Sequence, residues 1–209
     1  MKILIADDHA VVRQGLKQIL ADEYRRATFG EAGNAQEALD KVWNDEWDVV
    51  ILDVTMPGRS GLEALREIRK SKPRLPVLVL SMHPEDQFAM RVLKCGASGY
   101  MTKESAPGEL VGAVKKVLNG GRYVSPGLAE KMAAHLNTDF QVAPHERLSN
   151  REFLVLRLIA SGKTVSQIAD ELMLSVKTIS TYRTRILEKM VMENNAELTH
   201  YAIQNKLVA

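Results

Sequence analysis

The chain has 209 residues, 45% of them hydrophobic and 26% charged, with 28 Lys and Arg against 26 Asp and Glu. That length holds two domains of ordinary size or one large one, and the apolar share suffices for packed cores. The single Cys95 excludes an internal disulfide and a cysteine metal cluster, while no apolar stretch approaches bilayer-spanning length.

The first apolar run, Ile3–Ala6, is broken by Asp7 and Asp8, which is incompatible with a secretory signal. A soluble cytoplasmic protein is therefore expected. Short apolar runs at 3–6, 49–52 and 77–80 lack the alternation of a half-exposed sheet and read as buried parallel strands. Further strands are expected near 27–32 and over Gly99–Thr102. Segments of helical period separate them, at roughly 10–21, 35–45, 61–71, 85–95 and 107–119. This alternation implies right-handed βαβ crossovers and a doubly wound five-stranded sheet. Gly61, Gly96 and Gly120-Gly121 read as turn or cap residues.

A last helix over about 126–136 begins a connection, and residues 137–146, aperiodic and containing Pro144, read as a linker. The expected division is 1–122, a connecting helix and linker over 123–146, and a second domain over 147–209. Beyond the linker only helical period is found. Ser149-Asn150-Arg151-Glu152 is a capping box ahead of Val155, Leu156 and Ile159, and Gly162 stops that helix. A second helix carries Ile168, Ala169 and Leu172, a tight turn crosses Leu174-Ser175, and a third helix turns Ile179, Ile186 and Met190 inward. Asn194 with Glu197 caps a fourth. Residues 145–209 carry nine basic against seven acidic side chains, and 177–189 holds Lys177, Arg183, Arg185 and Lys189 against Glu188 alone. A local surplus of cations on an outward helix face suits a polyanion.

In an open parallel α/β sheet, ligand chemistry sits beyond the carboxyl ends of the strands. Asp7, Asp8, Asp53, Ser81 and Lys103 all follow strands there. Taken singly, an Asp at a strand end is a cap or turn residue and a Lys after a strand is solvated. Taken jointly, three carboxylates at one crevice repel unless a cation or Lys103 belongs among them. Phosphoryl transfer to a carboxylate needs a nucleophile, a divalent cation and fixed donors. Asp53 suits the first role, Asp7 and Asp8 the charge that holds Mg²⁺ (or Mn²⁺), and Lys103 and Ser81 the donors.

The segments Ile3-Leu4-Ile5-Ala6-Asp7-Asp8-His9, Val50-Ile51-Leu52-Asp53-Val54-Thr55-Met56-Pro57-Gly58 and Gly99-Tyr100-Met101-Thr102-Lys103 resemble the receiver domain of two-component response regulators. The second half, through Leu148-Ser149-x-Arg151-Glu152, Ile168-Ala169-x-x-Leu172 and Ser175-Val176-Lys177-Thr178-Ile179, resembles the LuxR-type helix-turn-helix. The whole chain is thus similar to NarL/FixJ-subfamily regulators. This resemblance implies a flavodoxin-like α/β receiver followed by an all-α four-helix DNA-binding domain. It implies that Asp53 is the phosphoacceptor, that Asp8, Asp53 and the Thr55 carbonyl coordinate the metal, and that Asp7 acts through water. Ser81 and Tyr100 would switch, and Thr55 and His83 would tune the reaction. Ser180, Thr181 and Thr184 would lie toward base edges, and Lys177, Thr178, Tyr182 and Arg185 toward phosphates. Many receivers have Pro directly after the lysine; here Glu104 stands there and the proline is delayed to Pro107. Gln167 likewise replaces a common glutamate.

The implied partners are a sensor histidine kinase, double-stranded DNA at paired half-sites and a second copy of the chain when phosphorylated, with no membrane. The implied activity is regulatory, limited to the chain's own phosphoryl transfer and slow self-dephosphorylation. The competing reading is a metal-dependent phosphohydrolase on the same scaffold, which the lack of a segment resembling a substrate cap disfavours. Flavin mononucleotide binding is disfavoured because Asp7-Asp8-His9 would repel a phosphate.

Overall fold

The computed structural model describes residues 1–56, 60–82, 85–135 and 143–208, in two compact units, Met1–Asn137 and Thr138–Ala209. In the first, strands β1 (Lys2–Ala6), β2 (Thr28–Ala32), β3 (Val49–Asp53), β4 (Val77–Ser81) and β5 (Gly99–Thr102) alternate with helices α1 (Ala10–Glu23), α2 (Ala35–Asn44), α3 (Gly61–Ser71), α4 (Glu85–Lys94) and α5 (Ala106–Leu118). All strand pairs are parallel, in the order β2-β1-β3-β4-β5. The expected doubly wound sheet is present. β3 and β4 are buried throughout, as their unbroken apolar runs require. β2 lies at the edge with its residues mostly half-buried, so no apolar run marks it in the sequence.

The pleat sorts the core into two faces. Ile3, Ile5, Ile51, Leu78, Leu80 and Met101 pack with Leu16 and Leu20 of α1 and Leu110, Val114 and Val117 of α5. Leu52, Val79 and Tyr100 stand in register with one another and alternate with that set, so they face the other side. Tyr100 is wholly buried there.

Two glycines do more than turn the chain. Gly61 was expected as a turn or cap residue, but it is the first residue of α3, behind a capping box of Ser60 and Glu63. A Cβ on Gly61 would lie 1.9 Å from the Asp53 carbonyl oxygen. Close approach of α3 to the end of β3 is therefore what demands glycine. Gly99 is similar: a Cβ would stand 2.8 Å from both Cβ and O of Tyr123. After α5 the chain returns along the open edge of β5, where the Tyr100 amide donates to the Tyr123 carbonyl at 3.1 Å and the Tyr123 amide to the Ser98 carbonyl at 2.9 Å. Helix α6 (Pro126–His135) follows and packs against α4.

Among the described residues of the second unit the first element is a 3₁₀ turn, Pro144–Arg147, which packs against the helix Val176–Met190. Helices α7 (Asn150–Ala160), α8 (Val165–Leu172), α9 (Val176–Met190) and α10 (Asn195–Gln204) then surround Phe153, Leu156, Ile168, Ile179, Ile186 and Leu198. Their boundaries are written locally. The predicted capping box forms at Ser149 with Glu152, and a second, neutral one that was not expected forms at Thr164 with Gln167. Asn194 caps α10 as expected. Gly162 ends α7 with φ +83°. Met173 and Val191 end α8 and α9 in the left-handed region, a conformation that strains a β-branched residue such as Val191.

Gly61→Ala forces α3 away from β3, and the expected result is a loss of about 1–3 kcal/mol from the first unit. Trp43 and Trp47 both lie in that unit, so urea unfolding followed by tryptophan fluorescence reads it directly; an unchanged midpoint would contradict the close packing.

Candidate functional site

The order β2-β1-β3-β4-β5 makes β1, β3 and β4 neighbours, so residues distant in sequence converge at their carboxyl ends. Asp7 follows β1, Asp53 ends β3, Ser81 ends β4, and Lys103 follows β5. Asp7 and Asp53 are each 1% exposed and Ser81 is fully buried. Lys103 Nζ hydrogen-bonds Asp53 Oδ2 at 2.8 Å and ion-pairs with Asp7 Oδ2 at 2.6 Å. The Lys103 amide donates to the Ser81 carbonyl at 2.9 Å, which fixes the start of the β5–α5 loop to the end of β4. The Thr55 amide donates to Asp53 Oδ1 at 3.0 Å. Both oxygens of the Asp53 carboxylate are thus held.

Burial raises the Asp53 pKa above the ordinary carboxyl value; the Lys103 ammonium and the Thr55 amide oppose this, and Asp7 adds to it. Burial also works against the Lys103 ammonium, but attraction to Asp53 and hydrogen bonds to both carboxylates outweigh it and hold its pKa high. The two partners of one ion pair shift in the same direction. The reason is that burial outweighs the Lys103 ammonium and the Thr55 amide at Asp53, whereas two carboxylates together outweigh burial at Lys103.

Three acidic side chains share this corner with one lysine. Asp7, Asp8 and His9 offer ligand atoms within 4.8 Å of one another. Asp8 Oδ1 is enclosed without a hydrogen bond of good geometry, although His9 Nδ1 stands 2.9 Å away. An oxygen-rich set with a deficit of positive charge fits a hard divalent cation.

Several contributors escaped the sequence reading. Arg13, one turn into α1, donates from Nη1 to the Asp7 carbonyl at 2.7 Å and from Nε to Glu31 at 3.3 Å, bracing the β1–α1 corner. Gly61 is another, through its approach to Asp53. His83, expected to tune the reaction, lies outside the described residues, as do Pro57 and Gly58.

In the second unit, α9 presents Lys177, Ser180, Thr181, Thr184 and Arg185 as exposed residues, with Thr178 and Tyr182 half-buried. Ile179, Ile186 and Met190 face inward, as their spacing predicts. The Thr181 hydroxyl donates to the Lys177 carbonyl at 2.9 Å and the Thr184 hydroxyl to the Ser180 carbonyl at 3.2 Å. Their oxygens keep accepting capacity and their methyls remain for outward contact. Two of the four cations counted over 177–189 are engaged inside the unit. Lys189 binds the nearly buried Glu152 at 2.6 Å and 2.8 Å, and Arg183 Nε donates to Asn195 Oδ1 at 2.6 Å. The cationic surface of α9 is therefore narrower than the sequence count, and it centres on Lys177 and Arg185.

Residues 3–115 match the response regulator receiver domain, and residues 146–202 match the bacterial regulatory proteins of the luxR family. The chain is 36% identical over 208 residues to the response regulator UvrY of Escherichia coli (strain K12), covering 99% of this chain and 95% of that one. It is 38% identical over 209 residues to the response regulator GacA of Pseudomonas aeruginosa, covering 100% and 98%. Among solved structures, RcsB from Salmonella enterica serovar Typhimurium, bound to promoter rprA in the presence of the phosphomimetic BeF3-, is 30% identical with a TM-score of 0.63, covering 96% and 98%. A further Salmonella typhimurium RcsB structure has a TM-score of 0.67 at 29% identity, covering 96% of each chain. Among the described residues, no helix is long and apolar enough to cross a membrane.

Lys103→Ala leaves Asp7 and Asp53 buried without their cation and is expected to destabilise the first unit by roughly 3 kcal/mol near neutral pH. Because the Asp53 pKa is raised on folding, wild-type stability is favoured while Asp53 is protonated and declines as pH rises through that raised value. Asp53→Asn removes this decline. The stability difference between Asp53→Asn and wild type should widen in favour of the variant as pH rises from the acid side, and a flat difference in urea titrations at several pH values would contradict the assignment.

Proposed function

Because the chain belongs to the NarL/FixJ subfamily of two-component response regulators and regulates transcription through its LuxR-type DNA-binding domain, we propose that phosphorylation of Asp53 is the controlling event. The observation that carries this reading is the doubly held, buried Asp53 carboxylate against Lys103. An Asp53 oxygen attacks the phosphorus of a phosphohistidine on a sensor kinase, the P–N bond breaks, and the histidine ring leaves with the electron pair. Lys103 then balances the charge of the phosphoryl group, and the Ser81 hydroxyl donates to one of its oxygens. Asp8, Asp53 and the Thr55 carbonyl, with Asp7 acting through water, would hold Mg²⁺ (or Mn²⁺), which would supply charge neutralisation on phosphoryl oxygens. Thr55 and His83 tune the access of water, and slow hydrolysis of the acyl phosphate resets the protein. Ser81 and Tyr100 form the switch.

Residues 1–122 serve as phosphoacceptor domain, 123–146 as connection and 147–209 as DNA-binding domain. The α9 surface enters the major groove. Ser180, Thr181 and Thr184 meet base edges there, while Lys177, Thr178, Tyr182 and Arg185 meet phosphates. Phosphorylation shifts the population toward a dimer that binds paired half-sites. A cytoplasmic location goes with this role.

Incubation with acetyl phosphate and Mg²⁺ is expected to add one phosphoryl group by intact mass. Asp53→Asn should abolish it, and wild-type uptake by that variant would refute the assignment. Asp8→Asn should weaken metal binding more than Asp7→Asn, and equal losses would refute the division of roles.

Lys177→Ala should weaken binding to all DNA sequences alike and reduce the salt slope by about one phosphate contact. Thr181→Ala should instead change preference among sequences. A changed preference with an untouched salt slope for Lys177→Ala, measured by titration at several salt concentrations, would exclude this docking of α9.

A further inference from the structure

Asp7 and Asp8 are neighbours in sequence but are held in different ways. Every polar atom of Asp7 is engaged: its amide donates to the Ala32 carbonyl at 3.1 Å, Oδ1 accepts the His9 amide at 2.9 Å, Oδ2 pairs with Lys103, and its carbonyl accepts Arg13 Nη1 at 2.7 Å. Among the described residues the Asp8 carboxylate pairs only with the exposed ring of His9, whose Nδ1 is 2.9 Å from Oδ1. The orientation of Asp8 therefore comes from its backbone. A peptide unit is planar, so the Asp7 carbonyl oxygen, the Asp8 amide and the Asp8 Cα lie in one plane. A donor that fixes that oxygen fixes the plane from which the Asp8 side chain departs.

Arg13 is that donor, and a second contact decides where its guanidinium points. Arg13 Nε donates to Glu31 Oε2 at 3.3 Å, on β2, where Glu31 stands in register with Ile5. Glu31 Oε1 in turn accepts from Lys17 Nζ at 3.0 Å and from Gln14 Nε2 at 3.4 Å. The Lys17 hydrogen bond foremost, with Arg13 adding to it, holds the Glu31 carboxyl below the ordinary range against the opposing effect of burial, so Glu31 is ionised near neutral pH. A guanidinium without this anchor, one turn into α1, would pair with the carboxylates of Asp7 and Asp8, whose geometry its paired N–H groups match. It would then stand where a metal's charge belongs.

We infer that Arg13 is a positioning residue for the metal site, fixing the Asp7–Asp8 peptide so that Asp8 is aimed at the cation, and that Glu31 keeps the guanidinium on the Asp7 carbonyl and off the two carboxylates. The inference rests on the proposed metal-binding role of Asp8. Charge and positioning predict opposite signs here. By charge alone, Arg13 repels a divalent cation and its removal tightens metal binding. By positioning, its removal loosens binding, as loss of a hydrogen-bonded partner behind a metal ligand does.

Calorimetric titration of the full chain with Mg²⁺ at constant ionic strength tests this, with urea midpoints of the first unit measured on the same variants. Arg13→Ala should weaken Mg²⁺ binding about 10-fold. Arg13→Lys keeps the charge and one donor but cannot serve the carbonyl and Glu31 together, so it should weaken binding about 3-fold, and it supplies the answer if Arg13→Ala does not fold. Glu31→Ala should weaken binding about 10-fold in the wild-type chain but less than about 2-fold in Arg13→Ala or Arg13→Lys, because Glu31 acts through Arg13. Unchanged or tighter Mg²⁺ binding by the folded Arg13 variants overturns the positioning role, whatever the urea midpoint does. Equal losses on removing Glu31 in both backgrounds overturn its part, since Glu31 then acts by its own charge. Asp8→Asn, titrated alongside, separates the two levels: if wild type binds no Mg²⁺, or Asp8→Asn binds it as well as wild type, the metal role of Asp8 falls and the inference with it. Impaired binding by Asp8→Asn with unimpaired binding by the Arg13 variants overturns the inference alone.

Discussion

The ammonium of Lys103 lies between two buried carboxylates, and the arrangement of the first unit follows from that contact. Asp7 and Asp53 are nearly inaccessible to water, and two such charges side by side are tolerable only with a cation between them. The cation must come from β5, the last strand, which obliges β5 to lie alongside β4 and end level with β3. Parallel register supplies this: Leu80 pairs with Asp53 on one side and with Met101 on the other. Burial of the sheet's interior and neutralisation of its carboxyl edge are one construction. The hydrophobic strands bring the charges together, and the lysine keeps them from forcing the strand ends apart.

The same economy recurs in the helical unit. Glu152 closes the capping box of α7 and also holds Lys189 of α9. Burial acts to raise its pKa, yet the Lys189 ammonium and the Ser149 amide together hold it below the ordinary range. One carboxylate thereby sets where α7 begins and where α9 lies across it. Arg183 does the corresponding work between α9 and the start of α10. Both cations are engaged in orienting α9, which leaves its outward face to short hydroxyl side chains with Lys177 and Arg185 beside them.

The open edge of β5 poses a separate problem, since an exposed row of amides and carbonyls templates unwanted pairing. The return of the chain along Ser98 and Tyr100 covers it with backbone from the same molecule. The cover is short, and Gly99 is what admits it.

The sequence by itself determined the elements and the members of the site. Apolar runs, helical period and caps are set by residues within a few positions of one another, so the strands at 49–52 and 77–80, the helix at 61–71, the box at Ser149 and the cap at Asn194 could be read directly. The charged residues at the strand ends were legible because parallel topology sends every strand's carboxyl end to one side. What depended on the path of the chain was not legible. That Gly61 answers to the Asp53 carbonyl, that Arg13 braces Asp7, that Lys189 is claimed by Glu152, and that Tyr123 closes the edge of β5 are contacts between residues far apart in sequence or between separate elements. Local chemistry says what each side chain can bind. Only the folded distances decide which partner it meets, because Coulomb attraction and hydrogen bonding act over a few ångströms whatever the separation along the chain.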